Sequence, residues 1–302
     1  MKILVTGGAG FIGSHLVDSL VENGYEVAVI DNLSTGKKEN VNPKAEFHQL
    51  DISRDGGKID KLFKREKFDY VYHLAAMARI PECLDKPIES FSINTLATLF
   101  LLQMSRLYGV QGFVFSSSSA VYGEVLTERP ISEDERLQPI SLYGLHKLAS
   151  EQMVLMYHKF YGLKASALRY FNVYGTKRQS AEGAYPNVFS AFGRDKELTI
   201  FGDGEQKRDY VHVFDVVRAN LAFIDKPAWG EVFNVGTGET HTVNEVAGFF
   251  SNKKAVHQPA RVGDPRYSCA DVGRASKELG FKAETTFEKG AQIYLDSLYH
   301  GN

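Results

Sequence analysis

Thr6-Gly7-Gly8-Ala9-Gly10-Phe11-Ile12-Gly13 lies between a β-rich run, Ile3 to Thr6, and a stretch from Ser14 to Val21 whose apolar residues recur at helical spacing until Asn23-Gly24 stops it. Strand, glycine turn and helix in that order make a cradle for phosphate. Glycines at 7, 10 and 13 let the backbone turn tightly, approach a pyrophosphate and pack helix on strand, and the helix start turns free N–H groups toward the anion. Gly7, Gly10, Phe11, Ile12 and Gly13 are therefore the expected contacts. A second strand, Glu26 to Ile30, ends in Asp31, where a carboxylate can accept both hydroxyls of an adenosine ribose and would repel a 2′-phosphate. The expected cofactor is NAD rather than NADP.

Outward from that unit the pattern repeats. Phe47 to Leu50 reads as a strand ending in Asp51-Ile52, Ile59 to Glu66 as a helix, and Tyr70 to Leu74 as a strand ending in Ala75-Ala76, small enough for backbone to lie against a cofactor. Strands alternating with helices predict an α/β, Rossmann-type doubly wound parallel sheet with ligands beyond the carboxyl ends of its strands. Asp51 either meets the adenine or caps a turn, with Ile52, Leu74, Ala75 and Ala76 beside it in the cofactor pocket. His73, inside an apolar strand, reads as a buried, hydrogen-bonded histidine. Gly112 to Phe115 is a further strand opening into Ser116-Ser117-Ser118-Ser119, whose hydroxyls are expected in the ligand crevice. Ser116 and Ser119 are read there as satisfying strand-end backbone.

Ser141-Leu142-Tyr143-Gly144-Leu145-His146-Lys147 heads an apolar run with helical spacing. Tyr143 and Lys147 are four apart, on one helix face, so phenol and ammonium can reach one point. A phenol with a pKa of about 10 is a poor base at neutral pH, and a nearby cation favours its phenolate.

Composition narrows the classes. The chain has 302 residues, 43% hydrophobic and 24% charged, enough for a large core. A formal net charge of -2 supplies no field for nucleic acid, and no stretch is long and apolar enough to span a bilayer. Cys83 and Cys269 show neither metal spacing nor a disulfide framework, and no metal is expected. Met1 to Thr6 reads as a strand rather than a signal peptide, so a cytoplasmic location is expected.

Thr6-Gly-Gly-Ala-Gly-Phe-Ile-Gly13, Asp31-Asn-Leu-Ser34, His73-Leu-Ala-Ala76, Ser117-Ser-Ser-Ala-Val-Tyr-Gly123 and Tyr143-x-x-x-Lys147 together resemble the extended short-chain dehydrogenases/reductases. More narrowly, the chain is similar to the nucleotide-sugar epimerases and dehydratases, and within them to the branch acting on UDP-hexoses. The resemblance covers nearly the whole chain. It implies that Ser118 and Tyr143 are catalytic, that Tyr143 is the base, and that Lys147 holds the nicotinamide ribose and lowers the tyrosine's pKa. Asn32, Ser34, Asn94, Ser116 and Tyr170 are implied to line the cofactor pocket.

Beyond Ala165 to Tyr170, another strand, Gly, Pro and charge punctuate short segments. A smaller α/β substrate lobe is expected over 171–302, after a Rossmann domain over 1–170 to which about 212–238 returns. Arg208 offers a planar fork suited to a diphosphate, and Arg261-Val-Gly-Asp264 a second cation beside a carboxylate, although either arginine read alone is also an ordinary surface residue. The resemblance implies that Asn172, Arg208, Arg261 and Asp264 hold UDP and that Ser268, a small residue, gates the sugar C2 substituent and admits N-acetylhexosamines. It further implies NAD-dependent 4-epimerisation of a UDP-hexose through a 4-keto sugar. A 4,6-dehydratase would carry an Asp-Glu pair where this chain has Ser119 and Ala120; a UDP-glucuronate epimerase or decarboxylase stays open, and a non-catalytic NAD-sensing module would have lost Tyr143 or Lys147. The helical stretch from Phe91 to Leu107 and that carrying Met153, Met156, Phe160 and Tyr161 hold more apolar surface than one sheet face needs, so a homodimer through four helices is expected.

Overall fold

Ile3 and Val5 pack to one side of strand β1 (Lys2–Thr6) and Leu4 to the other, and none of the three is exposed. A strand apolar on both faces must be covered on both, the normal condition of a parallel sheet. The computed structural model describes residues 1–179, 198–250, 255–260 and 264–299. It continues this pattern through helix α1 (Phe11–Glu22), β2 (Glu26–Asp31), β3 (Glu46–Gln49), α2 (Gly56–Glu66), β4 (Tyr70–His73), the short α3 (Ile80–Asp85) and α4 (Pro87–Phe91), α5 (Ala97–Leu107), β5 (Gly112–Ser118), α6 (Leu142–Tyr161) and β6 (Ala165–Tyr170).

Shorter pieces follow: β7 (Asn172–Tyr174), β8 (Leu198–Phe201), β9 (Lys207–Arg208), β10 (Tyr210–His212), α7 (Val213–Asp225), β11 (Val232–Val235), β12 (His241–Thr242), α8 (Val243–Phe250), β13 (Ala255–Gln258), β14 (Tyr267–Ser268), α9 (Gly273–Leu279) and α10 (Phe287–Tyr299). Seven strands form one sheet in the order β11-β6-β5-β4-β1-β2-β3, every pair parallel. The chain winds outward from β1 to β3, then crosses back to β4 on the other side of β1. That reversal opens a crevice beyond the carboxyl ends of β1 and β4. Helices α1, α7 and α9 pack on one face around Val17, Val216 and Leu279, and α2, α5 and α6 on the other around Phe63, Leu101 and Val154. Among the described residues no helix is long and apolar enough to cross a membrane.

One expectation changes. The helix expected over Phe91 to Leu107 is α4 and α5 joined by a π-turn at Ser92–Leu96. The Asn94 carbonyl there accepts hydroxyls from both Thr98 at 2.8 Å and Ser150 at 2.7 Å, side-chain donors of the kind that widen a helical turn. Strand β8 stops at Phe201, where Gly202 and Gly204, both with φ of +80°, turn the chain.

Candidate active site

The glycine turn is built as its residues require. Gly7 has φ +73°, and a Cβ there would lie 2.7 Å from the Ala75 backbone nitrogen; one on Gly13 would run into the Gly7 carbonyl oxygen. Neither position tolerates a side chain. Around Gly10 a Cβ would meet only the Gly7 carbonyl oxygen, 3.2 Å away, so the outer side of the turn is open. Gly10 is also the N-cap of α1, where no side chain caps the first turn and no acidic residue stands. That leaves the helix N-terminus to an anion.

At the end of β2, Asp31 is 8% exposed and its two oxygens accept Ala9 N at 3.0 Å and Leu33 N at 2.8 Å. Burial raises its carboxyl's pKa, and the bonds from Leu33 and Ala9 oppose the rise. Asn32 donates to Asp51 at 3.0 Å and accepts from Ser34 N, which tightens the loop beside Asp31. Asp51 is a turn cap here: one oxygen accepts both Ser53 N and Ser53 Oγ. Ile52 is buried in the core on the α2 face of the sheet, Ile12 and Leu74 pack against the core on the α1 face, and Phe11 meets the His15 ring edge-on. Ala75 donates its N–H to Thr6 Oγ1 at 3.3 Å, and Ala76 is half-buried next to it.

His73 is the structural histidine the sequence suggests. Its ring nitrogens pair with Thr6 Oγ1 at 2.7 Å and Thr98 Oγ1 at 2.8 Å, and burial pushes it down to about 3, so it stays neutral. It joins β1, β4 and α5 behind the crevice. Asn94 uses both amide atoms on Met77, accepting its N–H at 2.8 Å and donating to its carbonyl at 3.0 Å. Its side chain therefore clamps the loop after β4. Tyr170 donates to Asn220 at 2.9 Å and shares a hydrogen bond with Ser116, on the α7 side of the sheet.

Ser141 caps α6 by accepting Gly144 N at 3.1 Å, which places Tyr143 and Lys147 in its first two turns, beside the end of β5. Lys147 Nζ donates to the Ser116 carbonyl at 2.6 Å and lies 5.9 Å from the centre of the Tyr143 ring. Ser118 hydrogen-bonds the phenol. Burial pushes the phenol up to about 12, with the Ser118 bond opposing, and pushes the ammonium down to about 7. For Tyr143 this reverses the expected direction. In the dry site both groups favour their neutral forms, and the lysine's charge is spent on a backbone carbonyl. Tyr143 is half-buried as a residue, with its hydroxyl end turned into the protein beside Ser118.

Ser117 departs from the expectation that its hydroxyl faces the ligand crevice. Ser117 is buried and donates to Glu151 at 2.7 Å, because alternation along β5 turns it away from the Ser116 and Ser118 side. Glu151, Arg169 and Asp209 are among the buried charges absent from the sequence reading, with Glu133 and Asp215. Asp209 accepts N–H groups from Thr237, Gly238 and Ala270 at 2.8, 3.0 and 3.0 Å and so ties three segments together. Glu151 stood within reach of the same reasoning, four residues beyond Lys147 on the same face.

The residues expected to hold UDP gather on β7, β9 and β14. Arg208, 7% exposed, donates to Asp264 at 2.6 Å, to the Pro265 carbonyl and to the Lys207 carbonyl at 2.9 Å. Asn172 donates through Nδ2 to the Asp209 carbonyl at 3.3 Å. Ser268 is buried and lies opposite Arg208 in the β14–β9 pair. Arg261 lies outside the described residues.

A family model of the NAD-dependent epimerases/dehydratases matches residues 3–236. The chain belongs to this family. A putative UDP-glucose 4-epimerase of Methanocaldococcus jannaschii is 39% identical, with 99% of each chain covered. Among solved structures, UDP-glucose 4-epimerase of Thermotoga maritima, determined with UDP-glucose, superposes with a TM-score of 0.95 at 42% identity over 99% of each chain. That of Thermus thermophilus, in complex with NAD, gives 0.92 at 35% identity over 100% of each chain. For a family that depends on NAD, the open glycine turn, the uncapped α1 terminus and the Asp31 carboxylate are a donor and acceptor set of the right chemistry.

Proposed function

We propose that this family member interconverts UDP-hexoses at C4, UDP-glucose with UDP-galactose and also the N-acetylated pair, using a bound NAD held by Gly7, Gly10, Gly13 and Asp31. The observation that carries the reading is the meeting of Ser118, Tyr143 and Lys147 beside the crevice where the sheet order reverses. NAD, when bound, supplies a reversible hydride acceptor next to the sugar ring.

The chain's own groups do the rest. Tyr143 Oη takes the proton from the sugar O4, and Ser118 Oγ holds that oxygen in line. In its protonated form Lys147 favours the phenolate that has to form, and that anion in turn offsets the burial that lowers the ammonium's pKa. UDP is gripped by the lobe formed mainly by 171–302: the Arg208 fork takes diphosphate, Asp264 ribose, and Asn172 lines the site beside Asp209. Because Arg208 already pairs with Asp264, its fork is aimed before substrate arrives. A sugar anchored only through its nucleotide can turn over as the 4-ketone and be reduced on its other face, which inverts C4. Ser119 and Ala120 provide no carboxylate for dehydration.

The same reading takes the working unit as a homodimer. Ile88, Leu96, Leu99 and Leu107 beside Met156 and Phe160 leave apolar surface on the adjoining α4, α5 and α6. Burying such a side chain is worth roughly 1.5–3 kcal/mol. Counted on both copies and scaled to the fraction of each side chain still exposed, these residues supply about 10–20 kcal/mol, of the same order as the ~4–15 kcal/mol cost of association.

The test is direct. Protein denatured after purification is assayed for released NAD, and native protein is incubated with UDP-galactose, UDP-GalNAc or UDP-glucuronate without added cofactor while the anomeric proton signals are followed. C4 epimers of the hexoses are expected. A 4-keto-6-deoxy sugar, a pentose, or no product from NAD-loaded protein would overturn the reading.

A further inference from the structure

One buried charge pair is not used by the chemistry above. Glu151 is 0% exposed and Arg169 2%, and they meet as a two-pronged pair, Nη2 to Oε1 at 2.6 Å and Nε to Oε2 at 2.9 Å. The same Oε2 accepts Ser117 Oγ at 2.7 Å. Ser117 and Arg169 are register neighbours on β5 and β6, so two adjacent strands present donors to one carboxylate on α6. The remaining guanidinium nitrogen donates to Tyr122 Oη at 2.9 Å and to the Glu133 carbonyl at 3.0 Å, and Tyr122 donates to Asn234 Oδ1 at 2.6 Å. Every member is bonded.

Tyr143, Lys147 and Glu151 stand at i, i+4 and i+8, one above another on a single helix face. Each meets a consecutive residue of β5: Tyr143 meets Ser118, Lys147 the Ser116 carbonyl, and Glu151 Ser117. Of the three attachments, that of Glu151 is made wholly to buried protein groups, Ser117 and Arg169. Replacing a buried ion pair by apolar side chains is often neutral for stability, so stability does not explain its presence. An apolar contact tolerates sliding, whereas a forked charge pair has one geometry. A slip of one residue would move α6 by ~1.5 Å along its axis and swing the phenol away by ~100°.

We infer that Glu151, clamped by Arg169 and Ser117, is a positioning residue that sets the register of α6 on β5 and thereby aims Tyr143 and Lys147 at Ser118 and the sugar. This rests on the proposed roles of those three groups. The experiment uses full-length, NAD-loaded protein with UDP-galactose as substrate and three variants: Ser117→Ala, Glu151→Gln, and Glu151→Gln combined with Arg169→Met. Expected are an unchanged NAD content and KM, a several-fold fall in kcat for Ser117→Ala, and a fall on the order of 100-fold for Glu151→Gln, the size of effect that a ~1 Å misplacement produces. The double variant, which leaves no orphan charge, is expected to recover the Tm but not kcat. Should Glu151→Gln fail to fold, Ser117→Ala and the double variant decide. Wild-type kcat in Ser117→Ala and Glu151→Gln, or a kcat that returns together with Tm in the double variant, overturns the inference. Tyr143→Phe assayed alongside separates the two readings: full activity there refutes the proposed base itself, while its inactivity beside unaffected Ser117→Ala and Glu151→Gln refutes only the positioning role.

Discussion

At the scale of single residues, the ionisable groups of the site carry an energetic signature of their own. Burial holds the Lys147 ammonium near 7, whereas an unfolded lysine titrates at about 10.4. Between about pH 7 and 10 the unfolded chain therefore binds a proton that the folded, cofactor-free protein does not. The contribution of Lys147 to stability therefore rises with pH across that window, by up to about 1.4 kcal/mol per unit. Urea unfolding of NAD-stripped protein at pH 7 and pH 9 should show the gain, and Lys147→Met should abolish it. The opposite contribution sets in from about pH 9 upward, because the Cys83 and Cys269 thiols, pushed up to about 11, and then the Tyr143 phenol, pushed up to about 12, keep protons that the unfolded chain loses. Ser268 makes a second residue-scale prediction. A larger side chain at this buried position should exclude N-acetylhexosamines first, so Ser268→Tyr is expected to lose UDP-GalNAc turnover at least ten-fold while UDP-galactose turnover persists. Equal loss of both would remove the gate.

At the scale of elements, spacing and glycine placement carried most of the information. The strands at Ala165–Tyr170 and Val232–Val235 begin and end where their apolar runs do. The glycine turn was legible because only glycine fits where a Cβ would strike backbone. Gly13→Ala should therefore lift α1 off the turn. Protein purified from that variant is expected to release less than a tenth of the wild-type NAD on denaturation and to melt several degrees lower. The π-turn at Ser92–Leu96 was not legible, because it depends on Ser150, a donor more than fifty residues away, reaching the Asn94 carbonyl. The outward course of Ser117 was hidden for the same kind of reason. Its partner, Glu151, is on another element, and four serines in a row look alike until something pairs with one of them.

At the scale of the molecule, the exposed apolar faces of α5 and α6 make the assembly testable. Sedimentation equilibrium at micromolar concentration should give a dimer, and Leu99→Glu with Phe160→Glu, which places charge where the two copies would meet, should give a folded monomer with unchanged far-UV circular dichroism. A wild-type monomer at that concentration would rule the interface out. The parallel doubly wound sheet, its ligand-bearing edge, the glycine turn with Asp31, and the Tyr143–Lys147 pair were all readable along the chain, because each rests on contacts within a turn or two, or on an alternation repeated strand after strand. Other features needed the folded molecule: Arg208 meeting Asp264, Asp209 tying three segments, Asn94 closing on Met77, and Glu151 gripping Arg169 and Ser117. They are pairings of polar groups across long sequence separation. No local periodicity encodes such partners; they are selected only when burial removes water as the alternative and each donor must find the acceptor that the packed strands and helices bring within 3 Å.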